Sequence, residues 1–244
     1  MTSSDLWTEQ DAAAYDEDHA SEFDPSVVGP AVDVLKRLAG EGPALELAIG
    51  TGRVGVPLLA SGVSVTGIEL SEPMIARIRT KVTEQELPVV VGDMATTRVS
   101  GDFTLVYLVF NTISNLRTQE EQVQCFRNAA QHLRPGGRFV IELWVPFLQR
   151  LVPGNPAVAV EVREDFAAFD TYDVATQACT SQTYRRDDDG ILRNDIGRFR
   201  YLWPSECDLM AQLAGLELEA RHADWKGTPF TSASDKHVSV WRKN

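Results

Sequence analysis

One stretch constrains the fold of this chain more than any other: residues 45–55 read Leu-Glu-Leu-Ala-Ile-Gly-Thr-Gly-Arg-Val-Gly. An apolar strand pattern leads into Gly50, Gly52 and Gly55, and a helix-compatible run follows. Glycines let the backbone turn tightly and let a ligand lie against bare main chain at a helix N-terminus. The spacing fits the dinucleotide fingerprint G-x-G-x-x-G, which is weak evidence by itself.

Strands and helices alternate around this turn. Apolar strands are predicted at 44–49, 63–69, 88–91, 103–110 and 138–145, the last one after a turn at 134–137. Helices are predicted at 6–22, 26–38, 53–60, 73–84 and 119–133. Near-continuous apolar strands separated by helices predict a parallel sheet that is covered on both faces. The first two helices, within residues 1–40, are predicted to form a lid.

The pattern changes near residue 153. Segments with a period of two predict an antiparallel insertion with strands at 157–162, 171–175, 178–185 and 191–202 and a turn at 187–190. A helix at 204–213 and strands at 216–225 and 237–242 close the chain. The prediction is therefore a doubly wound α/β fold with a mostly parallel seven-stranded sheet and an antiparallel β insertion. Residues 1–150 and 204–244 form the ligand-binding domain, and 151–203 contact substrate or a second copy in a homodimer.

The charge balance argues against nucleic acid as a partner. The 244 residues include 23 basic and 35 acidic side chains, which gives a net charge of −12. Nonspecific attraction to a phosphate backbone is therefore expected to be absent or repulsive. The purest apolar runs are of strand length and cannot span a bilayer, so no membrane association is predicted.

The spacing of the cysteines and histidines predicts neither a disulfide framework nor a metal site. The N-terminus is polar and acidic, unlike a secretory signal, and the three cysteines are far apart, which fits a reducing cytoplasm. The four histidines show no metal-ligand spacing, so no metal is predicted. We expect the histidines to be structural or exposed.

Ligands of open parallel sheets lie beyond the carboxyl ends of the strands, so the residues that end each strand are the binding candidates. Glu69 ends the second strand, near the ~20-residue offset from the glycine turn that is typical of an acid on a ribose diol. Asp93 and Met94 follow the third strand, where the carboxylate can accept from an adenine amine and the backbone amide can donate to a ring nitrogen. Met74 and Val109 would supply apolar faces for the purine.

Glu46 narrows the identity of the ligand. It is an acid inside the first strand, four residues before the first turn glycine. A pyrophosphate gains nothing from a carboxylate there, whereas a ligand that carries an ammonium and a sulfonium does. The cofactor predicted from these residues is S-adenosylmethionine.

Together these motifs resemble those of class I S-adenosylmethionine-dependent methyltransferases, over about residues 15–145 and again in the closing helix and hairpin. The matching pieces are 46–52, 67–71, 92–94 and 133–138. Tyr15-Asp16 and the run at 110–113 are most similar to enzymes that act on small molecules, such as amino-sugar N-methyltransferases. One departure is Ala48, where the family usually has glycine. Its methyl group is expected to be tolerated beside the ligand while narrowing the pocket.

The resemblance implies a cofactor site and part of a substrate site. The implied cofactor residues are Tyr15, Glu46, Ala48, Gly50, Thr51, Gly52, Arg53, Glu69, Leu70, Met74, Asp93, Met94, Val109, Phe110 and Asn111, and the implied substrate residues are Asn111 and Trp144. Trp144, Tyr201 and Trp203 offer flat faces for a sugar, an aromatic ring or a methylammonium group.

The catalytic residue is left open, because these motifs contain no evident general base. A neutral amine can attack without one, whereas a hydroxyl usually benefits from one. The small-molecule acceptor is therefore expected to be an amine, or a hydroxyl whose base comes from the insertion.

Two other functions stay open at this point. An NAD(P)-dependent oxidoreductase would account for the glycine spacing and for Glu69 but not for Glu46 or Asp93, and the chain has no Tyr-x-x-x-Lys pair. A non-catalytic S-adenosylmethionine-binding protein would keep the same motifs while its acceptor pocket is blocked.

Overall fold

The computed structural model describes residues 2–146, 148, 151–152, 154–186 and 189–244. The α-helices in these ranges are α1 (Glu9–Asp18), α2 (Pro25–Ala39), α3 (Gly55–Ala60), α4 (Glu72–Arg79), α5 (Gln119–His132) and α6 (Pro204–Leu213). The strands are β1 (Ala44–Leu47), β2 (Val65–Glu69), β3 (Val89–Val91), β4 (Phe103–Leu108), β5 (Leu133–Trp144), β6 (Ala157–Val162), β7 (Phe166–Asp173), β8 (Ala178–Arg186), β9 (Leu192–Arg200), β10 (Leu216–His222) and β11 (Lys236–Lys243). Short 3-10 helices cover Ala20–Phe23 and Thr112–Asn115.

Seven strands form the large sheet, in the order β3-β2-β1-β4-β5-β11-β10. β1 runs parallel to β2 and β4, and β4 runs parallel to β5, while β11 is antiparallel to both β5 and β10. The strand order reverses between β1 and β4, which is where such sheets leave a crevice for a ligand. The predicted doubly wound, mostly parallel seven-stranded fold is confirmed.

The central strands are apolar throughout because helices cover both faces of the sheet. All residues of β1 and β4 are buried. Along β4, Val106 and Leu108 join the core that includes α5 and α6, whereas Leu105 and Tyr107 join the core that includes α2, α3 and α4. Within the described ranges, no helix combines the length and the apolar character needed to cross a bilayer.

Helix α1, in the segment predicted to form a lid, is shorter than predicted. It begins at Glu9 because Thr8 and Asp11 form a reciprocal capping box at its N-terminus. The next helix, α2, begins at Pro25, where the side chain of Asp24 accepts a hydrogen bond from the Ser26 N–H.

The turn predicted at 134–137 is part of β5, where the structure has a β-bulge instead of a separate turn. Leu133 pairs with Phe103 and Arg138 pairs with Leu105, so residues 134–137 bulge out of the ladder. Gly136 in this bulge has a φ of +78°, a conformation that favours glycine.

The insertion forms a separate four-stranded antiparallel sheet in the order β6-β7-β8-β9. β7 begins at Phe166, five residues before the predicted start, because the ladder with β8 extends to the pair Phe166–Arg185. Residues 187 and 188 of the predicted turn lie outside the described residues, and so does residue 150 at the predicted domain boundary. The division into domains stays a prediction.

Glu46 lies on the face of β1 that packs toward Tyr107. Its carboxyl group accepts a hydrogen bond from the Tyr107 hydroxyl at 2.8 Å and another from the Gly55 N–H. The side chain is only 3% exposed. Burial raises its pKa to about 8, although the Tyr107 hydroxyl and the Arg53 charge oppose this shift. The protonated form of Glu46 therefore predominates at neutral pH, and its side chain packs within the core.

Gly55 is required by this packing. A Cβ at Gly55 would lie 2.6 Å from Glu46 Oε2 and 2.8 Å from Ile49 Cδ1, closer than real Cβ contacts. The third glycine of the fingerprint thus lets the start of α3 approach β1.

We predict that Gly55→Ala lowers the free energy of unfolding by about 1–3 kcal/mol, because the new methyl group overpacks this contact. Ile49→Val alone should cost about 0.5–1.5 kcal/mol. Since Ile49→Val removes one of the two clashing atoms, the double variant should lose less than the sum of the single losses. Urea unfolding of all four proteins measures this coupling, and strictly additive losses would contradict the clash.

We also predict that Glu46→Gln flattens the dependence of stability on pH. In the unfolded chain this carboxyl group ionises near 4.5, but in the folded protein its pKa is about 8. The folded state therefore loses stability relative to the unfolded state as pH rises through that interval. Glutamine can still accept from the Tyr107 hydroxyl but does not titrate.

Urea unfolding at pH 5, 6, 7 and 8 tests this prediction. Wild type and the exposed control Glu41→Gln should both lose stability with rising pH more steeply than Glu46→Gln. Equal slopes for all three proteins would show that Glu46 is not buried as a neutral acid.

Candidate active site

A cavity of about 260 Å³ lies at the carboxyl ends of β1, β2 and β4 and beside the residues that follow β3. This volume is slightly below the roughly 300–1,000 Å³ found for ligand pockets. The cavity brings together most of the predicted site residues, namely Tyr15, Ala48, Gly50, Glu69, Leu70, Met74, Asp93, Met94, Phe110, Asn111 and Trp144. Trp144 is 51% exposed, so it stands at the mouth of the cavity.

Two predicted site residues are buried away from the cavity. Glu46 does not line it, because the alternation along β1 turns the side chain toward Tyr107. Val109 packs into the core that contains Tyr107 and Val140. The cofactor contact of Glu46 stays a prediction, since its carboxyl group bonds Tyr107 and is not part of the cavity wall.

Three other predicted site residues, Thr51, Gly52 and Arg53, belong to the glycine turn but do not line the cavity. The Thr51 hydroxyl donates to Asp16 at 2.5 Å. A Cβ on Gly52 would meet Val56, so this position packs against the start of α3. The Arg53 guanidinium lies 4.6 Å from the centre of the Phe110 ring.

Glu69 is fixed between two strand tips. Its Oε2 accepts from the Gly50 N–H at 2.8 Å, and its Oε1 accepts from the Ser71 N–H at 2.9 Å. Burial raises the pKa of this carboxyl group, while hydrogen bonds from the Ser71, Gly50 and Leu70 amides oppose the shift. The two carboxylate oxygens together offer about four lone-pair sites, so the backbone amides leave acceptor capacity for a ligand. This arrangement fits a ligand with two neighbouring hydroxyl groups.

Asp93 and Met94 also leave specific groups for a ligand. Asp93 Oδ1 accepts from the Ala95 N–H at 2.7 Å, and its other oxygen has no hydrogen bond within the described ranges. The Met94 carbonyl accepts from Asn128 at 2.7 Å, while no described residue accepts from the Met94 N–H. One acceptor and one donor side by side fit the edge of an adenine.

The tip of β4 has a strained backbone. Phe110 and Asn111 have φ values of 58° and 59°, which non-glycine residues rarely adopt. Glu142 of β5 holds this conformation, because its carboxylate accepts from the Phe110 N–H at 3.1 Å and its carbonyl accepts from the Asn111 N–H at 3.2 Å.

The orientation of the Asn111 amide follows from its partner. The Trp144 N–H donates to Asn111 Oδ1 at 3.2 Å, and a backbone N–H can only donate. The Nδ2 end of Asn111 is therefore the part left for a ligand, and it offers donors. Asn111 can bind a substrate oxygen but cannot remove a proton.

Ala48 also has a positive φ, of 52°. This conformation favours glycine and costs other residues roughly 1–2 kcal/mol. The departure from the family pattern thus falls at a strained position in the cavity wall.

The N-terminal segment forms part of the cavity wall. Asp16 of α1 accepts from Thr51 and forms an ion pair with Lys81 at 2.5 Å. The Ser71 hydroxyl donates to the Trp7 carbonyl at 2.8 Å. These contacts bring Tyr15 to the cavity, where burial raises the pKa of its hydroxyl.

His19, which we expected to be structural or exposed, is half-buried at the cavity wall. It lines the cavity, with its ring stacked on Tyr15 at 4.4 Å and in edge contact with Phe110 at 6.1 Å. The cavity wall also includes residues that the sequence pattern did not single out as site residues, namely Ser4, Asp5, Trp7, Ser71, Gly92, Thr112, Asn115 and Phe199. The matching pieces at 67–71, 92–94 and 110–113 contain three of them, Ser71, Gly92 and Thr112, whereas the N-terminal residues carry no motif.

Tyr201 and Trp203 do not line the cavity. They pack with Tyr172 in a small core beside the insertion, with ring centres 5.7 Å apart for Tyr172–Tyr201 and 6.2 Å apart for Tyr201–Trp203. The insertion instead reaches the cavity through Phe199 of β9.

Comparisons with known proteins identify the family of this chain. A family described as "Methyltransferase domain" matches residues 44–137. The CcbJ methyltransferase from Streptomyces caelestis is 36% identical, with a TM-score of 0.84 over 97% of this chain and 99% of that one. The cypemycin N-terminal methyltransferase of Streptomyces sp. is 25% identical over 94% of this chain and 98% of that protein.

A third relative matches over a shorter part. The dTDP-3-amino-3,4,6-trideoxy-alpha-D-glucopyranose N,N-dimethyltransferase of Streptomyces venezuelae is 30% identical over 53% of this chain and 59% of that protein. The 36% identity to CcbJ over nearly the whole chain favours methyl transfer over nicotinamide-dependent oxidoreduction. The strand order and the acids at the strand tips favour it as well. The chain belongs to the class I S-adenosylmethionine-dependent methyltransferases.

Proposed function

We propose that the protein methylates an amino group of a small molecule. The observation that carries this proposal is the aromatic wall at the acceptor end of the cavity, next to the tip of β4. Trp7, Tyr15, Phe110 and Trp144 line that end, with the Phe110 and Trp144 rings 6.1 Å apart. Aromatic faces attract cations such as an alkylammonium group. The net charge of −12 favours the approach of a cation as well.

Strand-tip residues are proposed to hold the cofactor. Glu69 accepts from the ribose hydroxyls, Asp93 accepts from the adenine amine, and the Met94 N–H donates to a ring nitrogen. Gly50 leaves open space at the turn, since a Cβ there would meet no atom within 4 Å. S-adenosylmethionine supplies a methyl group that is already activated on a sulfonium. The chain then has to align the acceptor and to exclude water, which is where positioning lowers the barrier.

The names of two relatives support an amine acceptor. One methylates the N-terminus of cypemycin, and another dimethylates the nitrogen of a deoxyamino sugar nucleotide. Both reactions place the methyl group on nitrogen.

The insertion is proposed to contact the acceptor. Phe199 of β9 lines the cavity, and Arg185 of β8 forms an ion pair with Asp18 of the lid helix at 3.2 Å. Homodimer formation, the exclusion of nucleic acid as a partner and a cytoplasmic location stay predictions from the sequence.

We predict that Glu69→Gln weakens binding of S-adenosylhomocysteine by roughly ten- to a hundredfold. The glutamine amide turns an N–H toward a backbone donor and removes the charge, and a hydrogen bond to a charged group contributes about 1.5–3 kcal/mol. Isothermal titration calorimetry measures the affinity, and thermal unfolding confirms the fold.

The matched control is Glu72→Gln, an exposed residue in the first turn of α4 that does not line the cavity. It should bind like wild type. Equal affinities for the two variants would contradict the ribose contact at Glu69.

Acceptor pairs that differ only at nitrogen test the reaction. Methyl 3-amino-3-deoxy-α-D-glucopyranoside should be methylated, whereas methyl α-D-glucopyranoside should not. Ala-Gly-Gly should likewise exceed its N-acetyl form. Formation of S-adenosylhomocysteine and the mass of the product report the transfer. Similar methylation of the amino sugar and its hydroxyl counterpart would contradict the amine assignment but not the cofactor site.

A further inference from the structure

His19 is a titratable group in the cavity to which the cofactor contacts assign no role. It follows the last residue of α1, and its Nδ1 lies 3.0 Å from the Tyr15 carbonyl oxygen. A carbonyl can only accept, so Nδ1 carries the hydrogen. In the neutral ring the lone pair then sits on Nε2. The helix thus fixes the tautomer that leaves Nε2 basic.

The position of His19 fits the acceptor end. Its ring stacks on Tyr15 and meets the edge of Phe110 at the tip of β4. Nε2 has no hydrogen bond to any described residue, and the side chain lines the cavity. The remaining acids there are occupied or distant from this end, since Asp5 is paired with Arg117 and Glu69 and Asp93 lie at the strand tips.

The charged groups around the ring come from several elements. On the lid, Asp16 is paired with Lys81, Asp18 is paired with Arg185, and Tyr15 keeps its proton because its pKa is raised. Glu22 follows on the next turn, and its carbonyl accepts from Arg53. From the glycine turn, the Arg53 guanidinium lies over the Phe110 ring, and Glu69 lies across the cavity. Asp16 and Asp18 are thus both engaged in ion pairs, and neither forms a hydrogen bond with the His19 ring.

We propose that His19 is a catalytic residue that takes a proton from the acceptor ammonium, an inference that rests on the proposed amine acceptor. The N–H bond of the ammonium breaks and its proton goes to Nε2. The lone pair left on nitrogen forms the new bond to the methyl carbon as the methyl–sulfur bond breaks, and that electron pair stays on sulfur. The imidazolium then releases the proton to water.

His19→Asn separates this role from a structural one. The Asn Nδ2 can replace His Nδ1 as the donor to the Tyr15 carbonyl, but asparagine has no counterpart of the Nε2 lone pair. The matched control is His222→Asn, at the end of β10 and outside the cavity.

The probe is methyl 3-amino-3-deoxy-α-D-glucopyranoside, with kcat/KM measured from pH 6 to pH 10. At pH 7, His19→Asn should be at least a hundredfold slower than wild type, because a general base contributes roughly 10²–10⁴-fold. The gap should shrink about tenfold per pH unit toward the pKa of the amine, since the free amine then needs no base. His222→Asn should match wild type, and all three proteins should bind S-adenosylhomocysteine equally. A gap that does not change with pH, or no gap, would overturn the proposal.

A second readout does not depend on turnover. Long-range ¹⁵N–¹H NMR correlation of histidine-labelled protein, with the His19 signals assigned by their loss in His19→Asn, should show the Nδ1–H tautomer. An Nε2–H tautomer would overturn the role of His19 whatever the acceptor is. If neither the amino sugar nor Ala-Gly-Gly is methylated although S-adenosylhomocysteine binds, the amine acceptor fails and this proposal fails with it. If amines are methylated equally by wild type and His19→Asn, only the role of His19 fails.

Discussion

One buried carboxylate joins the two strand tips on which the whole site is built. Glu69 accepts the Gly50 and Ser71 amides, so it fixes the glycine turn of β1 against the end of β2 and the start of α4. Burial costs the charged form of this group solvation, and the two amides offset part of that cost. Glu69 also lines the cavity. The backbone amides therefore hold the hydrogen-bond-accepting oxygens of Glu69 in place, which reduces the entropic cost of ordering this side chain when a ligand binds.

Two glutamates in neighbouring strands lie in different surroundings, one in the core and one at the cavity. Glu46 points into the core, where its partners are a tyrosine hydroxyl and one amide, and it stays mostly protonated at neutral pH. Glu69 ends its strand at the cavity, between two amides. The acid in the first strand thus packs directly against the glycine turn, because Glu46 and Gly55 are in close contact.

Local pattern was sufficient to predict the order of the elements and the residues at the strand tips, because buried parallel strands are apolar throughout and their ends must carry the polar groups. It was insufficient where the answer depends on how elements dock. The alternation of side chains along a strand places Glu46 on the opposite face of the sheet from Leu45 and Leu47. It does not predict which of the two faces borders the cavity. His19 and Phe199 reach the cavity only because α1 and β9 pack against the strand tips. The bulge at 134–137 depends on the register with β4, which no local signal reports.

The central claim is that the preformed carboxylate of Glu69 grips the two ribose hydroxyls of the cofactor. Calorimetric titration of the wild-type protein with S-adenosylhomocysteine and with its 2′,3′-dideoxy analogue tests that claim from the side of the ligand. Loss of two hydrogen bonds to a charged acceptor predicts binding of the dideoxy compound that is at least about a hundredfold weaker. Equal affinity for the two compounds would contradict the account.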